Sequence, residues 1–329
     1  MEYDKIIGMY DQPWRYHHAR KHVDAMQRRL WRLDFDNLDE DAFYYASIFH
    51  DAVYEPYASD NEERSNELWL RHCEEKGVGR ALKEKVSRLI MLTKNPLDAS
   101  GTLEKEFIDA DWNDMGNIHE IDDEYARWLD GYEKDIFHEF QKVPVEEYVK
   151  GRRKFLLDSV QKGLMTEEVA HYLLPLVDRK KTVGIYAGSF FPFHVGHLNI
   201  LRKAERMFDK VIVAQGVNRE KTYNGHFGNL ANVLRHHEIG MYSGQLIDYV
   251  NSKRSEYCEP VLVRGLRNGY DLNQETNLIR FVDEQADARE ISRIPIVYIS
   301  CDKEFEHVSS SAIRTLEPSD AERYVPDAQ

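Results

Sequence analysis

Ser189-Phe-Phe-Pro-Phe-His194-Val-Gly196-His197 joins the β-branched run TVGIYAG to an amphipathic stretch that begins GHLNILRKA. The spacing puts two imidazoles and a glycine where a strand turns into a helix. Helix N-termini there offer free N–H groups and a positive dipole end, and a His-x-Gly-His pair can donate two hydrogen bonds to one anionic group. Gly188 and Gly196 allow close backbone approach. Three more places carry related chemistry. Arg264-Gly265-Leu-Arg267 sets two arginines at the end of the run Val261-Leu-Val. Ser309-Ser310-Ser311, with Arg314 behind it, opens a helix after the last strand-like run, so hydroxyls and orphan N–H groups face an incoming phosphate. Lys221 follows the run KVIVAQG. Taken singly, a serine-rich helix start is usually an N-cap, an RGLR turn a solvated loop, and His194 a structural residue. Four strand ends with the same chemistry point to a phosphorylated ligand.

A second constellation lies upstream. His18 and His22 are four apart on one helix face. His50-Asp51 follows a second amphipathic stretch, and Asp109 and Asp111 compete as a further carboxylate. Imidazoles and carboxylates from separate helices suit a divalent transition metal such as Mn²⁺, Co²⁺, Fe²⁺ or Zn²⁺, which can activate water. The spacing alone is a weak signal. Arg15, Lys94 and Arg152 could meet a substrate phosphate, and Glu62 could act as a base; each singly reads as a surface charge. Arg235, His236 and His237 read as a surface cluster.

The elements that must position these groups follow two grammars. Residues 1–178 repeat apolar positions at three- and four-residue spacing, as in ARKHVDAMQRRLWRL and ALKEKVSRLIMLTK, which predicts an all-α domain. Residues 182–329 alternate β-branched runs (TVGIYAGSF, KVIVAQG, PVLVRG, PIVYIS) with helical stretches, which predicts a doubly wound parallel α/β sheet of Rossmann-like type.

A length of 329 residues favours two domains. Lys plus Arg number 44 against 58 Asp plus Glu, a net charge of −14. Such a surface repels phosphodiester backbones and anionic lipid, so nucleic-acid and membrane binding are not expected. Cys73, Cys258 and Cys301 form no CxxC pair or disulfide framework, which suits a reducing compartment. No apolar run approaches the roughly 20 residues of a membrane span, and the N-terminus has no signal-peptide pattern. The expectation is a cytoplasmic protein with small-molecule substrates.

GSFFPFHVGH, SGQLIDYV, VLVRGLRNGYDLNQE and SSSAIR, in this order over residues 182–329, resemble bacterial phosphopantetheine adenylyltransferases of the HxGH nucleotidyltransferase superfamily. The resemblance implies transfer of AMP from ATP, with Mg²⁺, to 4′-phosphopantetheine, and assembly into a homo-oligomer. It implies that His197 contacts the α-phosphate, with His194 beside it. Ser189 and Lys221 would hold the acceptor phosphate near that atom, Arg264 would fix the acceptor, and Phe190 would join the nucleotide-binding set. Gly196, Gly265, Arg267 and Glu275 would bind adenosine and triphosphate, and Ser309, Ser310, Ser311 and Arg314 the β- and γ-phosphates. Two departures stand out: Phe191 replaces an acidic residue, and His194 a frequent threonine. Phe191 is similar to some nicotinamide mononucleotide adenylyltransferases.

Arg15-Tyr-His-His18-x-x-x-His22, Phe49-His50-Asp51-Ala-Val-Tyr54, Asn61-Glu62-Glu63-x-Ser65, Thr93-Lys94, Phe107-Ile-Asp109-Ala-Asp111 and Gly151-Arg152 together resemble predicted metal-dependent HD-superfamily phosphohydrolases. The resemblance implies a helical bundle whose metal ligands are His22, His50, Asp51 and Asp111, with His18 facing phosphate or replacing a ligand. Two other functions stay open: nicotinamide mononucleotide as the acceptor, and nucleotide sensing without catalysis.

Overall fold

The computed structural model describes residues 3–217, 228–267 and 269–326. The chain forms two compact units, Met1–Glu139 with Gly151–Val177, and Phe140–Lys150 with Asp178–Gln329. Within the second unit, Lys210 Nζ donates to the Val143 carbonyl, Gln141 Nε2 to that of Asp209, and Ser255 pairs with Glu146, which ties residues 140–150 to the sheet.

The first unit is helical: α1 (Tyr3–Ile7), α2 (Arg20–Leu30), α3 (Asn37–Phe49), α4 (Asn61–Lys76), α5 (Arg80–Leu92), α6 (Gly101–Asp111), α7 (Asp123–Glu139), most of α8 (Val145–Gln161) and α9 (Glu167–Asp178). Local chemistry sets the ends. The Asp36 carboxylate accepts the Asp39 N–H at 2.9 Å and starts α3. Gly77, at φ 67°, closes α4. Left-handed Asn113 and Asp114 stop the chain from helical continuation just after α6. On α2, His22, Val23, Met26 and Leu30 make one buried stripe. That stripe meets Phe43 and Phe49 of α3 and Phe107 of α6, and the core extends to Trp69, Leu89 and Ile90. Packing of α2, α3 and α6 on one another brings the ends of α3 and α6 to the start of α2.

The second unit is a five-stranded parallel sheet, β1 (Lys181–Gly188), β2 (Lys210–Gly216), β3 (Ile239–Tyr242), β4 (Cys258–Leu266) and β5 (Ile296–Ser300), in the order β3-β2-β1-β4-β5. Its helices are α10 (Val195–Ala204), α11 (Gly228–Val233), α12 (Leu246–Ser252), α13 (Gly269–Ala288), α14 (Ser310–Ile313) and α15 (Pro318–Ala321). The α/β expectation holds here, and the sheet adds β3, a four-residue edge strand too short to show periodicity. Strands buried on both faces read as unbroken apolar runs, as Val183 to Ala187 and Val211 to Ala214 do. The chain leaves β1 toward β2 on one side and reaches β4 on the other. The switch point therefore lies between the carboxyl ends of β1 and β4, where open α/β sheets bind ligands.

The surface assignment of the Arg235 cluster is corrected in part. Arg235 is exposed, but His236 is buried and His237 Nε2 lies 2.6 Å from Glu205 Oε1, because this segment leads into the sheet through β3. All three cysteines are buried and free. Among the described residues no helix is long and apolar enough to cross a membrane.

Candidate functional site

A cavity of about 350 Å³ opens at the β1/β4 switch point, and it gathers thirteen of the residues singled out from the sequence: Gly188, Ser189, Phe190, His194, Gly196, His197, Arg264, Gly265, Arg267, Glu275 and Ser309 to Ser311. Tyr186, Ile200 and Phe305 add apolar wall. Lys221 lies outside the described residues.

Each polar group has an identifiable anchor. The backbone N–H of His194 donates to His197 Nδ1 at 3.3 Å, which fixes Nδ1 as the acceptor and leaves Nε2 as the protonated nitrogen. Burial, with His194 and Arg267 nearby, holds His197 well below the usual histidine pKa. Burial and Arg267 bring His194 down to about 4. At neutral pH both imidazoles are thus neutral hydrogen-bonding groups. A Cβ at Gly265 would sit 2.5 Å from Ile200 Cδ1, so a side chain there obliges Ile200 to shift.

Arg264 gives two N–H groups to Glu275, at 2.6 and 2.5 Å, and one to the Ala187 carbonyl at 2.8 Å. Of its five N–H donors, two remain for a ligand. Glu275 thus holds Arg264. The Ser309 hydroxyl accepts the Ala312 N–H and caps α14, while Ser310 Oγ donates to the Pro192 carbonyl at 3.0 Å. The first N–H groups of that turn have no intrahelical acceptor. Arg314 does not line the cavity: it donates to the Phe191 carbonyl and to Ser311 Oγ, and its guanidinium lies 5.6 Å from the centre of the Phe191 ring.

Residues 185–316 match the cytidylyltransferase-like family. Phosphopantetheine adenylyltransferase of Porphyromonas gingivalis is 34% identical over 145 residues, 42% of this chain and 88% of that protein. Those of Rhodopirellula baltica and Clostridium botulinum are 30% and 31% identical, covering 74% and 79% of their own lengths and 41% and 40% of this chain. Through its C-terminal half, the chain belongs to the phosphopantetheine adenylyltransferase family. The cytidylyltransferase-like match begins inside β1 and ends after α14, so it takes in β2 to β5, the end of β1 and every residue lining the cavity.

The first unit carries a separate group. His22 on α2, His50 and Asp51 at the end of α3, and Asp111 at the end of α6 place one donor atom each within 4.8 Å of one another. His22 Nε2 and His50 Nε2 are 3.2 Å apart, Asp111 Oδ1 is 3.1 and 3.4 Å from them, and Asp51 Oδ2 is 3.2 Å from His50 Nε2. Neighbouring ligands each about 2.1 Å from one ion lie about 3.0–3.4 Å apart, so these four separations fit a shared coordination sphere. His50 Nδ1 lies 3.1 Å from the Ser47 carbonyl, an acceptor that needs the proton there and leaves the Nε2 lone pair free for a metal. Burial works against charge on Asp51 and Asp111, and the neighbouring histidines outweigh it, holding both carboxyls well below their usual range.

The other residues named from sequence in this unit are placed differently. Asp109 is outside the group, half-buried, with its carboxyl raised mainly by burial. His18 is also outside it; its Nδ1 lies 2.6 Å from Glu139 Oε2. Arg15 donates to the carbonyls of Asp51, at 2.7 Å, and Ala52, at 3.0 Å. Lys94 pairs with Glu63 and lies 4.0 Å from Glu62, and buried Arg152 pairs with Glu133 at 3.0 Å. Those three cations are thus occupied by protein groups. Sequence reasoning missed Glu139, because nothing in Phe137-His-Glu-Phe140 distinguishes it from a solvated helix end.

Proposed function

We propose that the second unit transfers AMP from ATP to 4′-phosphopantetheine, giving dephospho-coenzyme A and pyrophosphate. The observation that carries this reading is His197: neutral, fixed through Nδ1 by the His194 backbone, and sharing one cavity with Arg264, Arg267 and the Ser309–Ser311 turn. An oxygen of the acceptor phosphate attacks the α-phosphorus of ATP in line. The bond from that phosphorus to the α,β-bridging oxygen breaks, and pyrophosphate departs with the electron pair. No covalent enzyme intermediate is needed, so the protein contributes positioning and neutralisation of growing charge. His197 donates through Nε2 to an α-phosphate oxygen. Arg267 and the free N–H groups before and within the α14 turn hold the triphosphate. Arg264, oriented by Glu275, uses its two remaining N–H groups on the acceptor, with Ser189 on the same side. Mg²⁺ travelling with ATP supplies charge neutralisation on the phosphates. Family resemblance supports a symmetric homo-oligomer, which light scattering tests.

A second acceptor, nicotinamide mononucleotide, is favoured by one observation: Phe191 presents an apolar ring against Arg314 where the family commonly has an acid. Pyrophosphate release from ATP with each acceptor separates the two readings. Turnover with nicotinamide mononucleotide alone overturns the first. ATP binding without turnover on any phosphorylated acceptor makes the unit a nucleotide sensor.

For the first unit we infer metal-dependent hydrolysis of a small phosphorylated, nucleotide-like substrate on an HD-type bundle. The support is the donor set His22, His50, Asp51 and Asp111 and its spacing. A bound divalent transition metal supplies Lewis acidity toward the phosphate ester. His22 and His50 would hold it through imidazole nitrogens, and Asp51 and Asp111 through carboxylate oxygens. Metal-dependent phosphate release from a nucleotide panel tests the reading, and inertness toward all of them overturns it.

A further inference from the structure

Glu139, the last residue of α7, is a carboxylate with no exposed surface. Its Oε1 accepts three consecutive backbone N–H groups, of Tyr16, His17 and His18, each at 2.8 Å. Its Oε2 meets His18 Nδ1 at 2.6 Å and the Tyr54 hydroxyl at 2.9 Å. Successive N–H groups converging on one oxygen form a concavity of the kind that binds anions. Here the anion is part of the protein. A carboxylate has about four lone-pair sites, so five partners saturate it.

What Glu139 holds lies against the His22–His50–Asp51–Asp111 group. Residues 16–18 are irregular backbone immediately before α2, which carries His22. Arg15 ties the same segment to the Asp51 and Ala52 carbonyls. The His18 ring stacks on Tyr54, centroids 4.1 Å apart, and lies 6.3 Å from the His22 ring. His18 Nδ1–H is given to the buried Glu139 carboxylate, an ion pair that outweighs the cost of burial and holds the ring as an imidazolium, so its Nε2–H remains to donate to another partner.

We propose that Glu139 is the positioning residue of the first unit's site: by fixing the 16–18 backbone and His18 Nδ1, it sets His18 Nε2 as the hydrogen-bond donor to a phosphate-ester oxygen held at the histidine–aspartate group. This rests on the phosphohydrolase reading given above. Glu139 touches no substrate; it acts through His18. The arrangement resembles the outer partners of metal sites, which orient an imidazole through its second nitrogen and whose loss costs about 10–100-fold in function.

The test uses the full chain with ¹⁵N-labelled histidine, Mn²⁺ and p-nitrophenyl phosphate. Wild type is expected to show a His18 Nδ1 proton strongly deshielded by the carboxylate, lost in E139Q and in H18Q. Each variant is expected to lower the Mn²⁺-dependent kcat about 10–100-fold, with Mn²⁺ affinity within about threefold, and the double variant to lose no more than either alone. ATP-dependent pyrophosphate release by the second unit stays unchanged. H18Q keeps the backbone bonds to Glu139, so it carries the test even if E139Q fails to fold. Full kcat in H18Q, or independent losses that multiply, overturns the proposal while Mn²⁺-dependent hydrolysis by wild type stands. A wild type that neither binds Mn²⁺ nor hydrolyses the ester overturns the phosphohydrolase reading, and this proposal with it.

Discussion

His194 and His197 lie face to face, ring centroids 3.6 Å apart and planes inclined by 23°, while the backbone of the first fixes the tautomer of the second. One residue thus holds its partner in place, while burial, with His194 and Arg267 adding to it, keeps that partner uncharged. Replacing His197 by Ala removes the Nε2–H donor and leaves the His194 N–H without its acceptor. Loss of one donor aimed at developing phosphate charge costs about 10²–10³ in kcat. Steady-state pyrophosphate release checks this, with ATP binding expected to weaken far less than turnover.

The same pair sets an acid limit. His194 has a folded pKa of about 4 against an ordinary value of 6.5, lowered by burial and Arg267. Below about pH 6.5 the unfolded chain takes up a proton that the folded protein refuses until about pH 4. Stability is therefore complete above that window and falls as the pH drops through it, by at most about 3 kcal/mol. His197 acts in the same direction. Urea denaturation at a series of pH values reads the slope, and His194→Thr is expected to flatten it. A bound triphosphate favours the protonated imidazoles, so ATP binding near pH 6 is expected to take up protons, seen by titration calorimetry in two buffers.

The phosphate-binding positions were legible because each is a local event, a strand end running into a helix or turn, written in adjacent residues such as Gly196-His197 or Ser309-Ser310. What joins them was not. Glu275 reaches back eleven residues to fix Arg264, and Glu139 meets His18 across 121 residues, distances at which no periodicity survives. Asp109 and Asp111 are about 200° apart around α6, so only one can face α2, and packing rather than spacing selects Asp111. The β3 strand escaped notice because its edge position leaves its residues half-buried or exposed, without a continuous apolar run.

Arg264 and Glu275 form a two-point ion pair with side chains 17% exposed on each side. Removing the carboxylate leaves the guanidinium held only by the Ala187 carbonyl, free to swing. Glu275→Gln is expected to raise the KM for the acceptor about tenfold and to leave ATP affinity within about threefold, since the orienting bond is worth about 1.5 kcal/mol. Acceptor and ATP titrations measured separately check it. An equal rise in both KM values would place Glu275 on the nucleotide.

At Gly265 a methyl group would come 2.5 Å from buried Ile200 Cδ1 and 3.3 Å from the Tyr186 hydroxyl. Gly265→Ala forces Ile200 out of its position in the wall of the cavity. The expected cost is about 1–3 kcal/mol of stability, together with a lower kcat, because Ile200 and His197 lie on the same helix. Thermal unfolding and turnover measured on G265A, then on G265A with Ile200→Val, check the cause: the smaller partner is expected to restore most of both.

In the first unit, the donor atoms of His22, His50, Asp51 and Asp111 converge whereas Asp109 stands outside. Mn²⁺ at about 100 times its Kd is expected to stabilise this unit by about 2.7 kcal/mol, and a chelator to reverse the gain. Asp111→Asn leaves a neutral, weaker oxygen donor on α6 and is expected to abolish the Mn²⁺-dependent shift in Tm. Asp109→Asn is expected to keep the shift at its wild-type size. Scanning calorimetry of the two variants with and without metal measures both outcomes. A loss of the shift in D109N with retention in D111N would mean that α6 presents its opposite face to the metal.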